Sequence, residues 1–236
     1  MFKQQLGIKE DSEKKKFYFS LFYPAILVII LWVVKIIENT LKIDFANFGI
    51  YPLRSEGLLG IITAPLVHSN YKHLINNSIP LFFLSTAIFY FYKEVALKVI
   101  LFTWLLTGIW VWFGARASYH IGASGLVYGY ASFLFFSGII RRNINLLAIS
   151  LLVTFLYGGM VWGIFPFKSG ISWESHLWGV IAGLVMAIFY KDYGPQLKKY
   201  EWEDAEDADE ENEDFESNSS ENIEIKYIYK KREGHS

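Results

Sequence analysis

Six stretches of the chain are dense in Leu, Ile, Val, Phe and Trp and poor in charge. They lie near 18–37, 74–92, 95–113, 122–140, 144–163 and 173–190. Each approaches the roughly 20 residues needed to cross a bilayer as helix. Runs of this length cannot leave backbone groups unpaired in lipid, so they must be helical. The polar–apolar alternation of a membrane β-barrel is absent. The pattern predicts an all-α membrane protein, a bundle of six transmembrane helices. The first run, Phe17–Ile37, follows Lys14-Lys15-Lys16 and is too long for the apolar core of a signal peptide. No small-residue cleavage site follows it, so it is expected to stay in the membrane.

Charge divides the chain and orients it. The stretch Glu201–Glu216 (EWEDAEDADEENEDFE) holds 11 of the 23 acidic residues, leaving 22 Lys and Arg against 12 acids elsewhere. Acidic tracts this dense repel themselves, so residues 192–236 read as a disordered, solvated tail whose end, Lys226–Arg232, suits anionic lipid. Residues 1–16 form a short N-terminal segment, and 17–191 a single six-helix domain. One side of the membrane receives Lys3, Lys9, Lys14, Lys15, Lys16, Lys93, Lys98, Arg141, Arg142, Lys191, Lys198 and Lys199. The other receives Lys35, Lys42, Arg54, Lys72, Arg116 and Lys168. The positive-inside rule then puts both termini in the cytoplasm, as an even number of spans requires.

Two polar residues in the apolar runs need a reason. The fourth run opens with Gly122-Ala123-Ser124-Gly125 and the sixth contains Ser175-His176. An ionisable residue within a membrane helix points to function. Both runs go from outside to inside, so Ser124 and His176 sit at matched depth, a few Å below the outer boundary. Gly125 with Gly129, and Gly179 with Gly183, are small-xxx-small pairs that let helices approach closely. His176, Gly179 and Gly183 share one face, and so do Ser124 and Tyr128. The arrangement suggests a serine nucleophile with a histidine base. The absence of cysteine excludes a catalytic thiol and zinc–thiolate sites.

A third element precedes and enters the second run: His68-Ser-Asn-Tyr-Lys-His73-Leu-Ile-Asn76-Asn77. His73 and Asn77 share a helical face, with Asn76 one residue off it. With His176, the two histidines could bind zinc, but the H-E-x-x-H spacing is absent and the histidine helix has no carboxylate. Uncharged donors suit the oxyanion of acyl transfer better, with the Ser124 backbone N–H as a third donor. No Asp or Glu falls deep in any run, which argues for a dyad rather than a triad. Position 126 is Leu, so the motif is not the G-x-S-x-G elbow of α/β-hydrolases. His120 lies on the same side, in a loop.

At these residues the chain resembles the rhomboid family of intramembrane serine proteases. The matching elements are H-x4-H-x3-N (His68, His73, Asn77), G-x-S-G (Gly122 to Gly125) and H-x2-G-x3-G (His176, Gly179, Gly183). They follow the family's order over roughly residues 17–191. The resemblance implies a six-helix rhomboid-like bundle with Ser124 as nucleophile and His176 as general base. It implies His73 and Asn77 as oxyanion-hole side chains and Tyr128 stacked against His176. His68 would brace the first outer loop, and Gly125, Gly179 and Gly183 would permit close helix contact. Many members carry a Trp-Arg pair in the long first loop. Here residues 38–67 contain Arg54 and no tryptophan.

The expected activity is hydrolysis of peptide bonds in transmembrane segments of membrane-protein substrates, within the cell membrane and at a site opening outward. The partners are those segments and the lipid bilayer; no nucleic acid, cofactor or metal is expected. Ile164–Gly170 joins the last two spans over the site, with Phe165 and Phe167 as a cap and Gly170 as a hinge, or as an ordinary interfacial loop. One rival is a catalytically silent rhomboid-like binding protein or chaperone for membrane clients; loss of Ser or His would mark it, and both are present. A small transporter is the other, but the polar residues cluster at one end of the helices rather than at the midplane.

Overall fold

The computed structural model describes residues 2–156, 160–166 and 172–195. The proposed acidic tail from residue 196 onward, Phe167, Gly170 and the middle of the fifth run (157–159) lie outside the described residues. The rest is helical: α1 Phe2–Leu41, α2 Gly60–Thr63, α3 Tyr71–Phe91, α4 Ala96–Gly114, α5 Ser124–Ile140, α6 Ile144–Leu156, α7 Met160–Gly163 and α8 Trp173–Phe189. This is an all-α membrane protein. Residues 13–41 of α1, together with α3 and α4, have the length and apolar character of a membrane crossing. α5, α6 and α8 are as apolar but shorter, at 17, 13 and 17 residues.

Helix boundaries differ from the apolar runs for local reasons. α1 extends well past 18–37 at both ends, because a helix can continue through polar residues on either side of lipid. α3 starts three residues before the predicted 74, because the Asn70 side chain caps it by accepting the His73 N–H at 2.9 Å. α5 starts at Ser124 instead of 122. Gly122 has φ +102°, a left-handed conformation that a right-handed helix cannot include and that glycine adopts at no steric cost. Of the fifth run, expected as one helix over 144–163, the described residues on either side of 157–159 form α6 and α7.

The connection between α1 and α3 carries short helical turns at Ala46–Phe48, Ser55–Gly57 and Ala64–Leu66 as well as α2. Polar side chains tie it to the helices. Lys35 on α1 pairs with Glu38 at 2.7 Å and donates to the His68 and Ser69 carbonyls at 2.8 and 3.2 Å. The Trp104 indole on α4 donates to the Ile61 carbonyl at 3.2 Å. Lys35 and Glu38 are both nearly buried, so each offsets the other's desolvation.

The core between α3, α5 and α8 is built from Leu81, Leu84, Ile88, Tyr130, Phe133 and Ala187, among others. Among the described residues, α5 and α8 make the most intimate helix contact. The space a Cβ on Gly179 would need is filled by the Gly125 carbonyl, and that of Gly183 by the Gly129 carbonyl and the Phe133 nitrogen. Ser132 adds a hydrogen bond across the contact, donating to the Val180 carbonyl at 2.7 Å. Each helix thus lies backbone against backbone, as small-residue faces in membranes allow.

Because backbone cannot yield as a flexible side chain can, Gly183→Val is expected to destabilise the bundle by about 1–3 kcal/mol or more. Thermal unfolding in detergent checks this; an unchanged midpoint would contradict the contact.

Candidate active site

The close approach of α5 and α8 brings their first turns together. Ser124 is the first residue of α5, and His176 lies in the first turn of α8. The His176 Nε2 stands 2.8 Å from Ser124 Oγ. Its Nδ1 is 2.7 Å from the Gly163 carbonyl oxygen at the end of α7. A carbonyl can only accept, so Nδ1 carries the proton and Nε2 is left as acceptor for the serine O–H. Tyr128, one turn below Ser124, stacks on the imidazole with ring centroids 4.2 Å apart and planes 10° from parallel. The ring is therefore held by its face and by both nitrogens, without a carboxylate.

α3 supplies the opposite wall. Asn77 is buried, and its Nδ2 has no hydrogen-bond partner among the described residues. Asn76, one residue earlier, faces outward and is exposed. An unpaired buried amide donor is costly unless something else accepts from it. The His73 Nδ1 is 3.2 Å from Ser69 Oγ, which in turn accepts from the Asn70 amide at 3.2 Å. In the tautomer in which the Ser69 hydroxyl donates to Nδ1, the His73 Nε2 carries a hydrogen. That atom lies against Gly122: a Cβ there would be 2.7 Å from it and 3.4 Å from the Asn77 Nδ2. Glycine at 122 thus serves both the backbone turn and the close fit of these two donors. Ser124, as the first helical residue, has no partner for its N–H within its own helix.

His68 is fully buried beneath the G-A-S-G turn. Its Nδ1 is 3.4 Å from the Leu66 carbonyl, and its Nε2 accepts from the Ala123 N–H at 3.4 Å. Burial first, then the neighbouring His73, push its pKa down to about 4. The ring is neutral at physiological pH, the state these two bonds require. The His68 Nε2 and His176 Nε2 are already engaged, and no metal-holding cluster of His and acidic residues occurs among the described residues.

The Rhomboid domain family model matches residues 55–193, the region that contains every one of these groups. The chain belongs to the rhomboid family. An uncharacterized protein of Mycobacterium tuberculosis is 35% identical over 169 residues, covering 68% of this chain and 70% of its own length. An uncharacterized Mycobacterium leprae protein is 33% identical over 175 residues, covering 67% and 66%. A protein named putative rhomboid protein from Acanthamoeba polyphaga mimivirus is 26% identical over 180 residues, covering 71% of this chain and 91% of its own length. Rhomboid proteins are in general intramembrane serine proteases acting on membrane-protein substrates.

Several groups of this rhomboid site escaped the sequence reading. Gly163 acts through its carbonyl, which no side-chain pattern reveals. Ser69 supports His73, and the Lys35–Glu38 pair supports the loop that holds His68; both read as ordinary polar residues. His120, placed in a loop by the sequence, is buried and bonded to the start of α8.

The depressed pKa of His68 sets a pH dependence. Between about 6.5 and 4 the unfolded chain binds this proton and the folded one does not, so stability falls as pH drops through that window. Unfolding in detergent at stepped pH should show this loss, and His68→Asn should make it shallower. An identical slope in the variant would remove His68 as the cause.

Proposed function

We propose that this chain is an intramembrane serine endopeptidase of the cell membrane that cleaves transmembrane segments by a Ser124–His176 dyad. The observation carrying the reading is the 2.8 Å contact between Ser124 Oγ and His176 Nε2, with the Gly163 carbonyl fixing the tautomer that leaves Nε2 free to accept. His176 takes the Ser124 proton as Oγ attacks the scissile carbonyl. The Asn77 amide, the His73 Nε2–H and the Ser124 N–H donate to the resulting oxyanion. His176 then protonates the leaving amine, the acyl–enzyme forms, and water activated by His176 releases the second product.

The site is at the ends of α3, α5 and α8 on the side that the fewer Lys and Arg residues assign to the outside, with six spans and both termini in the cytoplasm. A cleft of about 530 Å³ on that side is lined in part by Lys35, Glu38, Asp44, His68 and Ser69 and ends at Ile121, just before the G-A-S-G turn. The chemistry uses no metal, so turnover is expected to persist in strong chelators. Loss on chelation with recovery on zinc would favour the histidine–metal alternative.

Purified protein incubated with transmembrane model substrates, with cuts mapped by mass spectrometry, tests the reading. Ser124→Ala and His176→Ala should each abolish cleavage while unfolding as wild type does. Wild-type turnover in either folded variant rejects the dyad. Substrate that is captured and never cut by the wild type would favour a binding protein of the same fold. Loss of one oxyanion donor typically costs about 10²–10³ in turnover, so Asn77→Ala should be severely impaired. Asn76→Ala should be nearly unaffected, since about 100° of helical rotation turns it away. The inverse result would move the donor to Asn76.

A further inference from the structure

His120 lies at a junction of three segments and is almost wholly buried. Its backbone exchanges two hydrogen bonds with Ile50 in the first outer loop, at 2.9 and 2.8 Å. Two residues on, the Gly122 N–H donates to the Ala64 carbonyl at 2.9 Å. The chain from 120 to 124 is therefore pinned to the α1–α3 connection immediately before Ser124.

The side chain reaches the other half of the dyad. The His120 Nε2 is 3.0 Å from the Arg116 carbonyl, so Nε2 carries the hydrogen and Nδ1 is an acceptor. Nδ1 is 2.5 Å from Ser172 Oγ, and Ser172 Oγ is 2.5 Å from Ser175 Oγ. The hydrogens then run one way, from Ser175 to Ser172 to His120. Ser172 stands at the N-cap of α8, yet its side chain makes no capping bond; it is committed to His120 and Ser175. Its carbonyl accepts the N–H of Ser175 at 3.1 Å and of His176 itself at 3.4 Å. One residue thus receives the backbone of the dyad histidine and is held by His120.

We propose that His120 is a positioning residue for the dyad, tying the segment that leads into Ser124 to the first turn that carries His176 through its Nδ1 bond to Ser172. This rests on the proteolytic reading above. The glycine contacts of α5 and α8 reach their first turns, where Gly125 lies against the Ser175 carbonyl; the His120–Ser172 bond adds a tie from the segment just before Ser124 to the residue just before α8. A misplacement of about 1 Å can cost 10²-fold in rate.

The test uses the full chain in detergent or bilayers with a transmembrane substrate that the wild type cleaves. An Asn side chain sets an acceptor where the imidazole Nδ1 stands; a Gln amide reaches the place of Nε2. His120→Ala, His120→Gln and Ser172→Ala are expected to lower kcat by about 10–100-fold with little change in KM. His120→Asn should retain most of it. The double variant His120→Ala/Ser172→Ala should be no slower than either single one, because one interaction is removed twice. Hydrogen exchange in Trp173–His176 should quicken in His120→Ala and not in His120→Asn. Wild-type kcat in His120→Ala, additive losses in the double variant, or a His120→Asn as slow as His120→Ala would each overturn the proposal. If His120→Ala fails to fold, Ser172→Ala, which deletes one hydroxyl, decides. A wild type that cleaves nothing rejects the protease reading instead, and unchanged exchange in His120→Ala still rejects the tie.

Discussion

The structure depends on the contact of two backbones. α5 and α8 meet where Gly179 faces the Gly125 carbonyl and Gly183 faces the Gly129 carbonyl, with no room for a side chain at either place. In lipid there is no hydrophobic force to drive helices together, so close van der Waals contact and interhelical hydrogen bonds must do it. Larger residues here would push the helices apart, and the 2.8 Å approach of Ser124 to His176 would be lost with them.

The second constraint is the cost of charge away from water. A buried carboxylate beside His176 would have to be desolvated, and in a membrane that cost is severe. The imidazole is instead held by neutral partners: the Gly163 carbonyl on Nδ1 and the Tyr128 ring on its face. The same economy recurs around it. His68 bridges the Leu66 carbonyl and the Ala123 N–H, His120 bridges the Arg116 carbonyl and Ser172, and His73 takes Ser69. His68, His120 and His176 each have both ring nitrogens engaged by uncharged partners. Glu174, two residues before His176, is buried and paired through one oxygen with Arg116 at 3.5 Å, while its other oxygen has no hydrogen-bond partner among the described residues.

The Asn77 Nδ2 is a buried donor with no acceptor among the described residues. Neighbouring buried hydroxyls such as Thr103 and Thr107 also lack partners, but Asn77 alone among them faces the Gly122 turn beside Ser124. A donor kept unpaired in that place is suited to charge that develops only during reaction.

What the sequence alone determined is what depends on local pattern. Apolar runs mark the helices because lipid leaves a backbone no alternative. Helical periodicity puts His73 with Asn77, and His176 with Gly179 and Gly183, because side-chain direction follows residue number within one helix. The family motifs then join three distant segments that periodicity alone cannot join. Helix ends were less legible, since they turn on single features: the Asn70 cap for α3 and the positive φ of Gly122 for α5. Only the tertiary structure decided which groups from different segments meet. The Gly163 carbonyl on His176, the His120–Ser172–Ser175 chain and the Lys35 bonds to the 68–69 carbonyls all link residues far apart in sequence, several through backbone atoms that every residue possesses. A pattern of side chains cannot encode which carbonyl is used; the fold selects it by bringing that one within reach.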